Sequence, residues 1–350
     1  MGGVGEPGPA DLKSAGLTWI SDSSPGWSRQ RRGRGFSYLD TGGQVIRDPA
    51  VREHVQSLVI PPAWQDVWIS PRASGHLQAT GRDDRGRKQY IYHPAWRELR
   101  DTAKYASLSE FASQLPKLRR RLSRDLAAGS STPDRQTVTA ATVSLLDRTL
   151  IRVGNSRYAT SNGSYGLTTL QDEHVQVEGD ELQFRFRGKS GQEFDVSLRN
   201  RRLAKIVRHC QELPGQELFQ FETATGVLQV MASDDVNTYL RDTMGENHSA
   251  KDFRTWAGTV MTAEKLFNAG EAATDTAAKR NVTAAIRFTA GRLGNTMAVS
   301  RKCYVHPKIV ARYMAGDFIG EFGDALESAR GKPGSGLRVA EAATLAFITE

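Results

Sequence analysis

Tyr304 stands nine residues after Asn295 in the run Leu293-Gly294-Asn295-Thr296-Met297-Ala298-Val299-Ser300-Arg301-Lys302-Cys303-Tyr304-Val305. A phenol has an ordinary pKa of about 10. Near neutrality it is a useful nucleophile only where cations favour the phenolate and absorb the charge of a phosphorane-like transition state. Its attack on a phosphodiester leaves a covalent phosphotyrosine and expels a sugar hydroxyl. Because that link keeps the bond energy, the hydroxyl can attack back with no nucleotide cofactor. The chemistry requires a tyrosine, two or more arginines aimed at non-bridging oxygens, a neutral donor, and an acid for the leaving oxygen. Taken alone, a tyrosine is more often a half-buried aromatic with its hydroxyl in a hydrogen bond, so the other parts decide.

Each part has a candidate. Arg152 follows Leu150 and Ile151 and precedes Val153-Gly154-Asn155-Ser156-Arg157-Tyr158; it is either a surface charge or the first cation of a site. Arg254 falls in the first turn of a helix opened by the capping-box pattern Ser249-x-x-Asp252, off the apolar stripe of Phe253, Trp256, Ala257, Val260 and Met261. An arginine beside helix N-terminal amides makes a phosphate cradle, although exposed first-turn arginines are common. Lys189 lies in Gly188-Lys189-Ser190-Gly191, between the alternating runs Leu182, Phe184, Phe186 and Phe194, Val196, Leu198. That is a hairpin with a lysine at its tip, either a solubilising loop residue or a proton donor on a flexible stem. Gly294 suits the left-handed end of a helix, which puts Asn295 on the turn that follows.

The elements that must position these residues fall into two blocks. Residues 1–16 are Gly/Pro-rich and read as a mobile tail. From 17 to 93 the chain is a β-rich domain of short runs (Leu17–Ile20, Phe36–Leu39, Gln44–Ile46, Val67–Ser70, Gln89–Tyr92), with Gly42-Gly43 as a hairpin signal and Val51–Leu58 as a short helix. Its last segment sets a basic turn, Gly81 to Lys88, before a strand on which Tyr90 and Tyr92 share one face and alternate with Gln89 and Ile91. Such a surface suits a DNA groove, or a solvated hairpin whose aromatic pair packs on the core. From 94 to 317 the spacing is mainly helical, with Trp96–Tyr105, Leu108–Ala127 and Thr137–Ile151 as separate helices and the hairpin as an insert. Lys117, Arg119, Arg120, Arg121 and Arg124 crowd the second of these helices, as a solvated face or one turned to a phosphate backbone. Residues 318–350 read as a tail with a linker-like run, Gly331 to Gly336, before one short helix. The fold class expected is α+β: a small β-rich domain, then a larger mainly α-helical catalytic domain with a β-hairpin insert.

Composition narrows the class. The 350 residues carry 47 Lys+Arg against 39 Asp+Glu, a net charge of +8, which favours a polyanionic partner. Cys210 and Cys303 form no framework, which suits a reducing compartment, and no apolar stretch of membrane-spanning length or signal pattern occurs. A cytoplasmic, nucleoid-associated location is expected. Gly3-Val4-Gly5-Glu6-Pro7-Gly8 fits a dinucleotide pattern, but no strand precedes it, and Gln183 stands where a phosphate loop ending in Gly188-Lys189-Ser190 would need glycine. The seven histidines have no metal-ligand spacing. Neither cofactor nor metal is expected.

Together these residues resemble the type IB DNA topoisomerases in the compact form of poxviruses and bacteria. The matching pieces are Gly81–Tyr92, Ile151-Arg152-Val153-Gly154 with Gly166-Leu167-Thr168-Thr169-Leu170, Phe186-Arg187-Gly188-Lys189, Lys251-Asp252-Phe253-Arg254-Thr255, and Leu293-Gly294-Asn295-Thr296 through Ser300-Arg301 to Tyr304. They occur in the family's order over roughly residues 17–317. The resemblance implies that Tyr304 forms a 3′-phosphotyrosyl link, that Arg152 and Arg254 stabilise the transition-state oxygens, and that Lys189 protonates the 5′-oxygen. It further implies that Gln89, Tyr90 and Tyr92 touch duplex DNA, with Arg87, Lys88, Tyr158 and Lys251 as additional contacts. A monomer would then clamp the duplex, nick one strand, let supercoils rotate out and reseal. Asn295 stands where many members carry histidine; it can donate a hydrogen bond but cannot become cationic. A tyrosine recombinase shares the chemistry, but a β-rich first domain and the lack of paired histidines separate this chain from that class. A non-catalytic DNA-binding protein on the same fold is the other alternative.

Overall fold

The computed structural model describes residues 8–128, 134–223, 225–331 and 336–349. The chain divides into two compact units, Met1–Ala106 and Ser107–Glu350. The first is built on a five-stranded antiparallel sheet of β1 (Trp27–Arg32), β2 (Gly35–Leu39), β3 (Gln65–Ile69), β4 (Leu77–Arg82) and β5 (Lys88–Tyr92), in the order β2-β1-β3-β4-β5. Helix α1 (Pro9–Ser14) precedes it, and α2 (Pro49–Ser57) lies between β2 and β3 with its first turn held by the Asp48 carboxylate. Val67, Ile69 and Ala79 pack with Val55 of α2 to form the core on one face of the sheet.

Two expectations for this unit need correction. The strands expected over Leu17–Ile20 and Gln44–Ile46 are single bridges, Thr18 to Gly75 and Leu39 to Val45, and the true edge hairpin is β1–β2, whose first strand, Trp-Ser-Arg-Gln-Arg-Arg, has too few apolar residues to signal itself. The tail expected through residue 16 also fails for its second half: α1 buries Leu12 against Leu17 and Trp96, because one apolar side chain is enough to seat a short helix on an existing cluster.

The second unit is mainly helical: α3 (Pro94–Ala127, which begins in the first unit), α4 (Arg135–Thr149), α5 (Ser156–Asn162), α6 (Arg201–Gln211), α7 (Ser233–Met244), α8 (Ala250–Ala269), α9 (Asp275–Leu293), α10 (Met297–Cys303), α11 (Pro307–Ala315), α12 (Phe318–Arg330) and α13 (Val339–Thr349). Strands β6 (Val175–Glu178), β7 (Glu181–Arg187) and β8 (Glu193–Arg199) form one antiparallel sheet, with Phe186 opposite Phe194 at its tip; β9 (Gln220–Glu222) and β10 (Leu228–Val230) form a second. The two helices expected over 96–127 are one. Tyr105, Leu108, Phe111, Ala112 and Leu115 are all buried, so the stripe never breaks and packing carries the helix through Pro116. Helix α3 starts at Pro94, where the helical domain was expected to begin, while the division into compact units falls further along it, between Ala106 and Ser107.

The C-terminal tail is also corrected. Phe318, Phe322, Ala343 and Phe347 are buried in the same cluster as Leu266 of α8, Ile286 of α9 and Ile309 of α11. Helix α13 is latched by charge as well. The Arg119 guanidinium donates to both Asp147 oxygens (2.9 and 3.0 Å) and both Glu341 oxygens (2.7 and 2.8 Å), and Arg338 adds a bond of 2.8 Å to Glu341. Burial alone would raise the Glu341 pKa, but the hydrogen bonds and charge of Arg119 outweigh it and hold the carboxyl at about 2 rather than its ordinary 4.5. A depressed folded-state pKa contributes stability that is full above the unfolded value and is lost as pH falls through the folded one. Stability should therefore drop between about pH 4.5 and about pH 2, by roughly 3 kcal/mol from this group. Glu341→Ala, which strands the buried Arg119 charge, should lose about 3 kcal/mol or more at neutral pH and flatten the acid limb. Urea unfolding against pH measures both.

Candidate active site

Arg254 is 3% exposed although it lies one turn into α8. The Ser249 backbone N–H donates to the Asp252 carboxylate (2.8 Å), which fixes the start of that helix. The Arg254 side chain spans the ends of two others: Nη1 donates to the Leu150 carbonyl at the C-terminus of α4 and Nη2 to the Leu293 carbonyl at the C-terminus of α9, each at 2.5 Å. A cation there meets the negative ends of two helix dipoles together with carbonyls that lack helical partners. Leu150 presents its carbonyl by adopting φ 59°, ψ 16°, a left-handed conformation uncommon for a branched residue.

Arg152 follows two residues after Leu150. The chain there is pinned by the Leu167 N–H to the Arg152 carbonyl (2.8 Å) and the Thr168 N–H to the Val153 carbonyl (2.6 Å). This pairing is the physical link between the Ile151–Gly154 and Gly166–Leu170 pieces. The Arg152 Nη2 donates to Asn295 Oδ1 at 2.5 Å. Asn295 is placed by the end of α9: Gly294 takes φ 57°, ψ 51°, its N–H donates to Gly291, and the Asn295 N–H reaches back to the Ala290 carbonyl (3.0 Å). That is the Schellman geometry the sequence led us to expect. A Cβ at Gly294 would stand 2.6 Å from the Phe194 ring, so the β7–β8 tip packs directly on this turn. Lys189 lies on that tip and is exposed.

Tyr304 does not open the next segment; it caps the end of α10, its N–H bonded to the Ser300 carbonyl (2.9 Å). The Arg254 guanidinium lies 5.3 Å from the centre of its ring. Burial pushes the Arg254 pKa down, the nearby Arg152 charge pushes the same way, and the Tyr304 phenol partly offsets both, leaving it at about 10 and cationic near neutrality. Arg152 is also lowered, by burial first, with Tyr304 opposing. Three N–H groups here are buried without a hydrogen-bond partner: Arg152 Nη1, Arg254 Nε and Asn295 Nδ2. Each orphaned buried donor costs about 1–3 kcal/mol, a cost relieved by a ligand that brings several acceptor oxygens to one point. A tetrahedral phosphate has that chemistry, and a phenol beside it has the chemistry of a nucleophile.

Two residues that sequence reading missed hold Tyr304 in place. A Cβ on Gly258 of α8 would stand 2.3 Å from the Tyr304 carbonyl oxygen, so Tyr304 rests on bare helix backbone. One residue on, Thr259 Oγ1 accepts the His306 N–H (3.1 Å) and ties down the chain just past Tyr304. A glycine inside a helical stripe was the only signal available, and it pointed to packing without naming the partner.

The residues of the first unit expected to touch DNA lie on β5 and in the turn before it. Tyr90 and Tyr92 stack with centroids 5.9 Å apart and planes 10° from parallel, and Tyr90 is 47% exposed. Arg87 pairs with Asp83 (2.7 Å) and Lys88 with Asp22 (2.5 Å). Gln89 points away from the tyrosines, its amide on Asp83 (2.9 Å). Lys251 is exposed on the first turn of α8. The Tyr158 side chain lies outside the described residues.

Residues 93–318 match the family model described as the eukaryotic DNA topoisomerase I catalytic core, and 35–83 match the bacterial DNA topoisomerase IB N-terminal domain. The chain is 30% identical to DNA topoisomerase 1B of Acanthamoeba polyphaga mimivirus over 77% of its own length and 81% of that protein's. It is 21% identical to DNA topoisomerase I of monkeypox virus and to DNA topoisomerase 1B of vaccinia virus, in each case over 76% of this chain and 80% of the relative.

Gly258→Ala should cost about 1–3 kcal/mol of stability, as overpacking does. A urea midpoint equal to that of the parent would mean that Tyr304 does not rest on Gly258.

Proposed function

The chain belongs to the type IB DNA topoisomerases, and from that premise we propose how its own residues relax supercoiled DNA. The Tyr304 oxygen attacks a phosphodiester phosphorus and gives up its proton. The 5′-oxygen of the next nucleotide leaves, taking a proton from Lys189 on the β7–β8 tip. One strand is then held by a 3′-phosphotyrosyl bond while its free end rotates. Return of the 5′-hydroxyl displaces Tyr304 and restores the strand, so no bond energy is lost and no nucleotide is consumed. Arg152 and Arg254 neutralise the non-bridging oxygens, and Asn295 donates from its free amide N–H as a neutral partner. The observation that carries this reading is the set of three orphaned donors beside the Tyr304 ring. Tyr90 and Tyr92, with Arg87 and Lys88 beside them, contact the duplex, as does Lys251 of the second unit. One chain acts alone, its two units engaging the same DNA as a clamp.

Purified protein incubated with negatively supercoiled plasmid in EDTA without ATP should relax it, and denaturant should trap protein on a 3′ end. Tyr304→Phe should abolish both while duplex binding persists; relaxation by that variant would overturn the assignment of the nucleophile. Asn295→Ala should slow adduct formation by about 10²-fold, the typical effect of losing one oxyanion donor, with the affinity for DNA unchanged in a binding titration.

A further inference from the structure

The β1–β2 hairpin carries three arginines around its tip: Arg31 and Arg32 at the end of β1 and Arg34 in the two-residue loop Gly33-Arg34. Gly33 has φ 54°, the left-handed value that the first position of such a loop takes in the turn matching strand twist. All three arginines are exposed, and among the described residues none pairs with a carboxylate; Arg32 donates only to Gln30 (3.1 Å). Arg29, two residues earlier, serves the fold instead: it donates to the carbonyls of Ile60, Pro61 and Trp64 and lies over Phe36.

The register places this tip. Ser28 faces Trp68, Gln65 faces Arg82 and Arg82 faces Lys88, so the end of β1, the start of β3, the end of β4 and the start of β5 all lie at one end of the sheet. The β1–β2 tip and the β4–β5 turn are neighbours there, separated by β3 alone, with β1 and β4 about 10 Å apart. Alternation also sets the face. Trp27 and Arg29 point toward the α2 core, so Gln30 and Arg32 point to the opposite side, as do Lys88, Tyr90 and Tyr92. The two turns differ in charge. Among the described residues, Arg82, Arg87 and Lys88 at β4–β5 are answered by Asp66, Asp83 and Asp22 and only Arg85 is left without an ion pair, whereas the β1–β2 tip has no carboxylate partner.

We propose that Arg32 and Arg34 form a second DNA contact, in which the hairpin tip grips the phosphate backbone of the duplex whose groove Tyr90 and Tyr92 face; Arg31 falls on the α2 face with Trp27 and Arg29. This rests on the topoisomerase reading above and adds a site outside both family matches, which begin at residues 35 and 93. Uncompensated arginines on a rigid two-residue hairpin meet the geometric demand of backbone phosphates, and they position the duplex without reading its sequence. Arg87 and Lys88 already have counter-charges, so the β1–β2 tip adds a salt-sensitive contribution of its own to binding by the first unit.

The test is the double variant Arg32→Ala/Arg34→Ala in the full chain, with binding measured on a Tyr304→Phe background so that no cleavage intervenes. Each phosphate contact contributes about 0.9 to the slope of log affinity against log salt, so losing two should reduce the slope by about 1.8 and make the loss of affinity between about 50 and 200 mM salt roughly 12-fold smaller. The corresponding Arg→Lys double variant should keep the parental slope, because the contact is one of charge. With Tyr304 present and DNA saturating, the adduct rate of the alanine variant should equal the parent's. An unchanged salt slope in the alanine variant would overturn the proposal and leave the tip a solvated loop. A lowered slope that lysine does not restore would overturn it as a charge contact. Failure of the underlying reading looks different: the parent protein itself would then give no adduct at Tyr304.

Discussion

A buried arginine with no carboxylate partner is the constraint around which the second unit is arranged. Arg254 gives up water and receives in exchange two carbonyls at the ends of α4 and α9, which recover only part of its solvation. The guanidinium therefore draws the C-termini of two helices onto the first turn of a third. Those two termini are the points from which Arg152 and Asn295 depart, so the same interaction that satisfies Arg254 also assembles the site. Its remaining N–H, with one from Arg152 and one from Asn295, is left for a ligand. The fold thus stores an incomplete set of hydrogen bonds that an anionic group completes.

Tyr304 is held by different means. It stands at the end of a seven-residue helix, too short to be rigid alone, and is fixed by steric contact with bare backbone at Gly258 and by the Thr259 hydroxyl beyond it. Both supports lie on α8, four and five residues after Arg254. One helix therefore carries the buried guanidinium and the seat of the phenol, and their separation is fixed by helix geometry rather than by loops. The β7–β8 tip is tied to the same assembly through Phe194, which packs on Gly294. Helices α12 and α13, beyond the family match, close the core beneath α8, α9 and α11 and fasten α13 to α3 and α4 through Arg119 and Glu341.

In the first unit the distribution of carboxylates matters more than the count of cations. The sequence drew attention to the basic turn before Tyr90 because its charges are dense, yet there Asp22, Asp66 and Asp83 pair with Lys88, Arg82 and Arg87. Arg32 and Arg34, which among the described residues have no acid partner, belong to a hairpin whose first strand is so polar that no periodicity marks it.

The sequence by itself determined the family and the candidate residues. Tyr304, Arg152, Arg254, Lys189 and Asn295 could be singled out because residue type and motif order are local properties, as could the Gly294 helix end, the Ser249–Asp252 helix start and the β7–β8 hairpin, each set by interactions within a few residues. Only the tertiary structure decided what depends on distant partners. It decided that Arg254 is buried against two helix ends, that Gly258 is a seat for Tyr304, that Gln89 serves Asp83, and that α3 runs unbroken through Pro116. It also decided that α12 and α13 belong to the core, since the linker-like Gly331–Gly336 run in the sequence hides the fact that Phe318, Phe322 and Phe347 fill a space lined by α8, α9 and α11. Burial and charge compensation are sums over neighbours that folding brings together from far along the chain, and no local pattern encodes them.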